Sequence, residues 1–166
     1  MQLFFKEVFK MKKMLCIALS IVTAVGILTG CGASGGSSDT TTTYRAEYKN
    51  ASQGYIPFVE VTVDADKKIT NVTFDWMDEN DHKKLKSDDA DYKKNWRAQN
   101  PDMDQNVARV TLQEQLKETQ DIGKIDGVAG ATLATSDFKE LVTQLMKERV
   151  AKGDQTTLVV DNPVEE

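Results

Sequence analysis

The chain is poor in soft-ligand and nucleophilic side chains. It has one histidine and two cysteines in 166 residues. That is fewer than the four nitrogen or sulfur ligands of a structural zinc site. It is too few for a four-cysteine iron–sulfur centre or a disulfide scaffold. A histidine-based triad or dyad would rest on His82 alone. Excess positive charge is missing as well, because 21 Lys and Arg stand against 26 Asp and Glu, for a net charge of −5. Sequence-independent nucleic-acid binding needs a basic footprint, so no nucleic-acid partner is expected. There is no internal repeat. The length fits one domain with a tail.

The first thirty residues differ from the rest. Met11-Lys12-Lys13 precedes an uncharged run that ends at Gly30, the order of a secretory signal: basic region, apolar region, small residues. Its strongly apolar part, Met14 to Leu28, is shorter than the ~20 residues of a spanning helix, so a stop-transfer anchor is the weaker reading. The segment before Met11 is superfluous to such a signal, so Met11 is the expected start, with Met1 adding an optional leader otherwise. Leu28-Thr29-Gly30-Cys31 resembles the bacterial lipoprotein box. That resemblance implies cleavage before Cys31 and lipidation of its thiol, with several acyl chains giving a stable anchor. Cys16 leaves with the signal, so the mature chain has no free thiol. The removed segment carries four lysines and one glutamate, which leaves 136 residues with a net charge of −8. Residues 32–43 are rich in Gly, Ser and Thr. They read as a flexible tether with a typical reach of about 20 Å.

From Tyr44 onward, patterning predicts strands first and helices later. Tyr44 to Lys49 is a short strand. Phe58 to Asp64 and Ile69 to Trp76 alternate apolar and polar residues around an Asp64 to Lys68 turn, which predicts an antiparallel hairpin with Val72, Phe74 and Trp76 on one face. Asp78 to Ser87 reads as a polar loop, and Asp88 to Ala98 as a short helix capped by Ser87 or Asp88. Asn100-Pro101-Asp102 breaks it. Val107, Val110, Leu112 and Leu116 suggest a helix ending near Thr119, followed by a loop from Gln120 to Gly130. Thr135-Ser136-Asp137 forms an N-cap cluster, with Asp137 and Glu140 resembling a capping box. Phe138, Leu141, Val142, Leu145, Met146 and Val150 then mark the clearest amphipathic helix. Gly153 ends it and Thr156 to Val160 is a last strand. The expected fold is α+β, a small antiparallel sheet packed with about three helices in a single domain. The domain is expected over residues 44–160, with 161–166 a frayed tail.

The stretch Asp126-Gly127-Val128-Ala129-Gly130-Ala131-Thr132 carries the functional signal. By itself it is a small-residue loop feeding a helix, where backbone can approach a ligand closely. A phosphate at the helix start would meet unpaired N–H groups and the positive dipole end. Thr132, Thr135 and Ser136 supply hydroxyls there. A bare Gly-Ala-Thr triplet would more simply be a loop and cap.

The longer pattern of Asp126 followed by Gly130-Ala131-Thr132 resembles the flavinylation motif of the FMN-binding domain family. Its members include the C subunit of the sodium-pumping quinone reductase, the G subunit of the Rnf complex, and lipoproteins of Gram-positive bacteria. The resemblance implies that an FMN transferase joins the FMN phosphate to the Thr132 hydroxyl as a phosphoester, with Asp126 the acid that the transferase recognises. Ala129 departs from the Ser or Thr common there. Further resemblance runs through Tyr44, Ala46 and Tyr48, through the hairpin, through Lys84 to Asp88 with Tyr92, and through Leu112 and Leu116. The expected cofactor site is Thr132, Asp126, Gly130, Ala131, Lys86 and Tyr92, with no catalytic side chain and no protein-bound metal.

Tyr55, Trp76, Tyr92 and Trp96 are candidates for stacking on the ring. Lys86 either pairs with a reduced, anionic flavin or with the phosphate, or is a solvated lysine. His82 lies in an acidic loop without the spacing of a calcium hand. Asp88, Asp89 and Asp91 read as a helix N-terminus, and Met103 and Met146 as packing residues. The expected protein is an extracytoplasmic, lipid-anchored, monomeric flavoprotein, more an electron carrier modified by a transferase than a catalyst. Its donor would be a quinol-linked or reductase subunit of the membrane and its acceptor extracellular. The rival readings are a lipoprotein that holds FMN or another small ligand without a covalent bond, and a structural surface lipoprotein with a degenerate motif.

Overall fold

The computed structural model describes residues 40–99, 101 and 104–162. The signal segment, Cys31, most of the tether, Met103 and residues 163–166 lie outside them. Among the described residues, no helix is long and apolar enough to cross a membrane.

The sheet is built on the alternating segments. Strands β1 (Thr42–Tyr48), β2 (Tyr55–Val63) and β3 (Ile69–Asp78) pair antiparallel in sequence. A short β4 (Leu158–Val160) adds parallel to β1, giving the order β3-β2-β1-β4. The sheet is therefore mixed, where an antiparallel one was expected, because the chain returns along the free edge of β1 after the last helix. Strand β1 begins two residues inside the expected tether. Thr42 and Thr43 are β-branched and pair with Val63 and Thr62, which suits them to a pleated surface. The Asp64 to Lys68 turn forms as expected, with Asp64 Oδ1 accepting from the N–H groups of Asp66 and Lys68, both at 2.9 Å.

Three helices follow β3, and the second and third pack on the sheet. Helix α1 (Ala90–Gln99) starts two residues later than expected, and its cap is Asp89, whose Oδ1 accepts from Tyr92 N at 2.7 Å. Ser87 and Asp88 are taken up by the preceding turn, where the N–H groups of Asp88 and Asp89 both donate to the Leu85 carbonyl. Helix α2 (Gln105–Thr119) is capped by Asp104. Its buried side is Ala108, Leu112 and Leu116, while Val107 is 50% exposed and Val110 40%, against the expected apolar stripe. The helix is turned so that polar groups meet the β3 edge. Gln113 Oε1 accepts from Phe74 N at 3.1 Å, and Gln120 bonds both the N–H (2.7 Å) and the carbonyl (3.0 Å) of Ile69. These side chains pair the backbone of an edge strand that would otherwise be a template for another chain.

Helix α3 (Thr132–Leu145) buries Phe138, Leu141, Val142 and Leu145, the expected stripe. It runs into one wider π turn, Met146–Val150. Straight α-helical geometry would carry Val150 off the stripe, and the wider turn rotates it back into the core. Phe74 of β3 meets Phe138 edge-on at 5.2 Å, and this contact ties α3 to the sheet. The expected frayed tail is pinned at its start. Asn162 and Asn50 share three hydrogen bonds of 2.9 to 3.1 Å.

Candidate functional site

The motif loop and the start of α3 form one side of a cavity of about 390 Å³. Gly130 has φ +76°, a conformation that glycine adopts without penalty, and the Ala131 N–H donates to the Val128 carbonyl at 3.0 Å. The chain thus turns sharply into Thr132, the first residue of α3. The helix starts three residues ahead of the expected cap cluster. Its N-cap is Ala131, which gives no side-chain hydrogen bond. Thr135 does not cap. Its hydroxyl donates to the Ala131 carbonyl at 2.9 Å and accepts from Val128 N at 3.3 Å, fastening the loop to the helix. The first-turn N–H groups of Thr132, Leu133 and Ala134 have no intrahelical acceptor, and all three residues line the cavity. The Thr132 side chain is exposed, and its hydroxyl has no hydrogen-bond partner among the described residues.

The opposite side is aromatic and cationic. Residues Leu85 and Lys86 run back along β3. Met77 bridges to Leu85, Asp78 N donates to the Lys84 carbonyl at 2.9 Å, and Lys86 N to the Trp76 carbonyl at 2.8 Å. This holds the Lys86 ammonium among three rings, 4.5 Å from Tyr92, 5.0 Å from Tyr55 and 5.3 Å from Trp76. Such ring faces attract a cation. Burial pulls the Lys86 pKa below its ordinary value, opposed by the charges of Asp137 and Asp75. Tyr92 and Trp96 stack one helical turn apart with centroids at 6.2 Å. The Tyr55 hydroxyl donates to Asp89 Oδ2 at 3.0 Å.

Two residues that the sequence reading passed over complete the wall. Asp75 is 2% exposed, and its Oδ1 accepts from Trp76 N at 2.8 Å and Ser87 N at 3.3 Å. Its Oδ2 lies 3.7 Å from Nη1 of Arg109 on α2. An acid in the middle of the apolar run of β3 was the available signal for Asp75; Arg109 had none. Asp137, expected as a cap, also lines the cavity. The Tyr48 hydroxyl has its pKa raised by burial first and then by the charges of Asp137 and Glu140.

The cavity therefore gathers Thr132, Gly130, Ala131, Lys86, Tyr92, Trp76 and Trp96. Asp126 is exposed and outside its wall, with its N–H donating to Gln115 Oε1 at 2.7 Å. Tyr55 is one layer back, against Lys86 and Tyr92. The acidic loop around His82 is organised by its own carboxylates. Asp78 Oδ1 accepts from the N–H groups of Asn80 and Asp81, and Asp81 Oδ1 from that of Lys83. Among the described residues, no group of three or more His, Cys, Asp or Glu side chains is placed to hold a metal ion.

Comparison with known proteins gives two positive findings. The model of the FMN-binding domain family matches residues 54–147. A crystal structure of a Clostridium perfringens protein is similar with a TM-score of 0.65 at 24% identity, over 75% of this chain and 99% of that one, a likeness of fold. Among curated proteins none matches.

Proposed function

This chain belongs to the FMN-binding domain family, and from that premise we propose that it carries FMN as a phosphoester on Thr132 and relays electrons through it at the outer face of a bacterial cytoplasmic membrane. The cavity suits the group. Its volume of about 390 Å³ is in the range of small-molecule sites, and it offers ring faces, a helix N-terminus and cations. FMN supplies the electron chemistry when bound, and the side chains orient and shelter it.

Each wall has a task in this reading. The uncapped first turn of α3 takes the phosphate, where N–H groups and the helix dipole favour negative charge. Tyr92, Trp96 and Trp76 exclude water from the ring by offering apolar faces. Lys86 holds positive charge nearby. Exposed Asp126 lies where a transferase can reach it.

The observation that carries the assignment is the contrast between two hydroxyls. Thr135 uses its hydroxyl twice within the loop, whereas Thr132 has an exposed hydroxyl and no partner among the described residues. A covalent link also suits a protein outside the cell, where a dissociated FMN would not be replaced. Lipid on Cys31 and the Gly/Ser/Thr tether would hold the domain within reach of a quinol-linked or reductase donor and an extracellular acceptor.

Co-expression with an active FMN transferase tests this. The protein is expected to be yellow, with an intact mass raised by that of FMN less water. Thr132→Val is expected to remove the added mass. A Thr132→Val protein that keeps stoichiometric covalent flavin refutes the site. Flavin lost on denaturation would instead support non-covalent holding, and a colourless product a structural lipoprotein.

A further inference from the structure

We propose that the Arg109 guanidinium is the group in this cavity that pairs with the negative charge of a reduced flavin ring. The inference rests on the reading that FMN occupies the cavity.

Arg109 lines the cavity and has too few partners for its chemistry. A guanidinium has five N–H donors and no acceptor, and it stays charged at any working pH. Here Nη2 donates to Asn106 Oδ1 at 3.4 Å, and Nη1 is 3.7 Å from Asp75 Oδ2, beyond hydrogen-bond distance. Nε is buried without a partner among the described residues. Asp75 opposite is almost fully buried and fixed by two backbone N–H groups. Setting a buried carboxylate beside a partly buried guanidinium without a short contact between them is a poor structural bargain. It is consistent with a cation held loosely by Asp75 and able to turn its unused donors onto an acceptor in the cavity.

The ring is a better partner than the phosphate. The start of α3 already provides N–H groups for a phosphate on Thr132. Asp75 draws Arg109 toward Trp76 and Ser87, on the aromatic side. Lys86 is less suited, because its ammonium faces three rings and burial lowers its pKa.

The consequence is a shifted protonation. A flavin that takes up two electrons and one proton is anionic, and a second proton makes it neutral. An opposite charge close by favours the anion and lowers the pKa of that second step by about one to three units. The two-electron midpoint potential falls by about 30 mV per pH unit for each proton taken up with the electron pair. Its slope therefore halves above that pKa, and the position of the break reports it.

The test uses protein flavinylated by co-expression, with loading fixed by intact mass and midpoint potentials measured against pH during dithionite reduction. The wild-type break is expected about one to three pH units below that of free FMN. In Arg109→Gln it should move up toward free FMN by about one unit or more, and Arg109→Lys should retain most of the wild-type shift. A wild-type break that coincides with that of free FMN overturns the proposal without recourse to any variant. A loaded Arg109→Gln protein with the wild-type break overturns it too, even if a changed phosphorus-31 signal then points to the phosphate. Wild-type protein that holds no flavin at all refutes the underlying reading of the cavity, and this proposal with it. Flavin held without a covalent bond leaves the same measurement decisive for Arg109.

Discussion

The Tyr55 hydroxyl donates a 3.0 Å hydrogen bond to Asp89, the residue that caps α1. One carboxylate thus links β2 to the helix that carries Tyr92 and Trp96. Burial and this bond push the tyrosine pKa up to about 12 from its ordinary 10.0. The unfolded hydroxyl releases its proton near 10, and the folded one holds it until about 12. In that window the folded state binds more protons, so stability falls as pH rises from 10 to 12. Tyr55→Phe should cost about 1 kcal/mol at neutral pH through the lost bond, and it should flatten the alkaline loss. Tyr48 and Tyr92, also raised, should leave part of it. Urea midpoints of the apoprotein at neutral and alkaline pH give both quantities.

Thr135→Val separates structure from modification. It removes both hydroxyl bonds that fasten the loop to α3, at a cost of about 1–2 kcal/mol. The mass gain from flavin should persist, because Thr132 is untouched. Thr132→Val should do the reverse and leave the denaturation midpoint of the apoprotein within about 0.5 kcal/mol of wild type, as expected for an exposed side chain. Intact mass and a denaturation curve on the two proteins suffice. A Thr135→Val protein with normal stability but no flavin would reassign the acceptor.

These two threonines also show where the sequence was legible. The hairpin and the α3 stripe are local patterns, and Val72, Phe74, Phe138 and Leu141 lie where their period puts them. The start of α3 is not legible locally, because Thr135, Ser136 and Asp137 have better capping chemistry than Ala131, the residue that precedes the helix. Nothing local reveals that the Thr135 hydroxyl bends back to a carbonyl one turn earlier. The pairing of Asp75 with Arg109, and the three rings around Lys86, join segments far apart in the chain. Pattern reading within one element does not reach such pairs. The motif was legible because small residues and a hydroxyl fall within seven consecutive positions.

Gln120 gives a prediction about the β3 edge. It has φ +58°, a conformation in which glycine would be relaxed. Its side chain, however, bonds the N–H and the carbonyl of Ile69. Gln120→Gly would relieve the backbone and lose both bonds. Each unmade bond at a part-buried site costs about 1 kcal/mol, against roughly 1 kcal/mol of relief. The variant should therefore be less stable by about 1 kcal/mol, although glycine is the usual residue at such a helix end. It should also expose the start of β3 as a pairing edge, raising the aggregation rate on heating. Thermal denaturation followed by light scattering reads both.

Helix α1 buries no residue, and its largest apolar contacts are Tyr92 and Trp96 at the cavity. By contrast, α2 buries Leu112 and Leu116, and α3 buries four residues of the core. Local opening energies follow buried apolar contact, so α1 should open well below the global unfolding energy. In the apoprotein, amide exchange in α1 should run about tenfold or more faster than in α2 or α3, a difference of about 1.4 kcal/mol or more. A ring seated in the cavity would lie against Tyr92 and Trp96 and make α1 harder to open. Flavinylation should therefore slow exchange in α1 and leave α3 beyond its first turn unchanged. Uniform slowing across the domain would mean general stabilisation instead, and no change in α1 would put the ring outside the cavity. Hydrogen exchange with mass spectrometry on the apo and flavinylated forms decides between these outcomes.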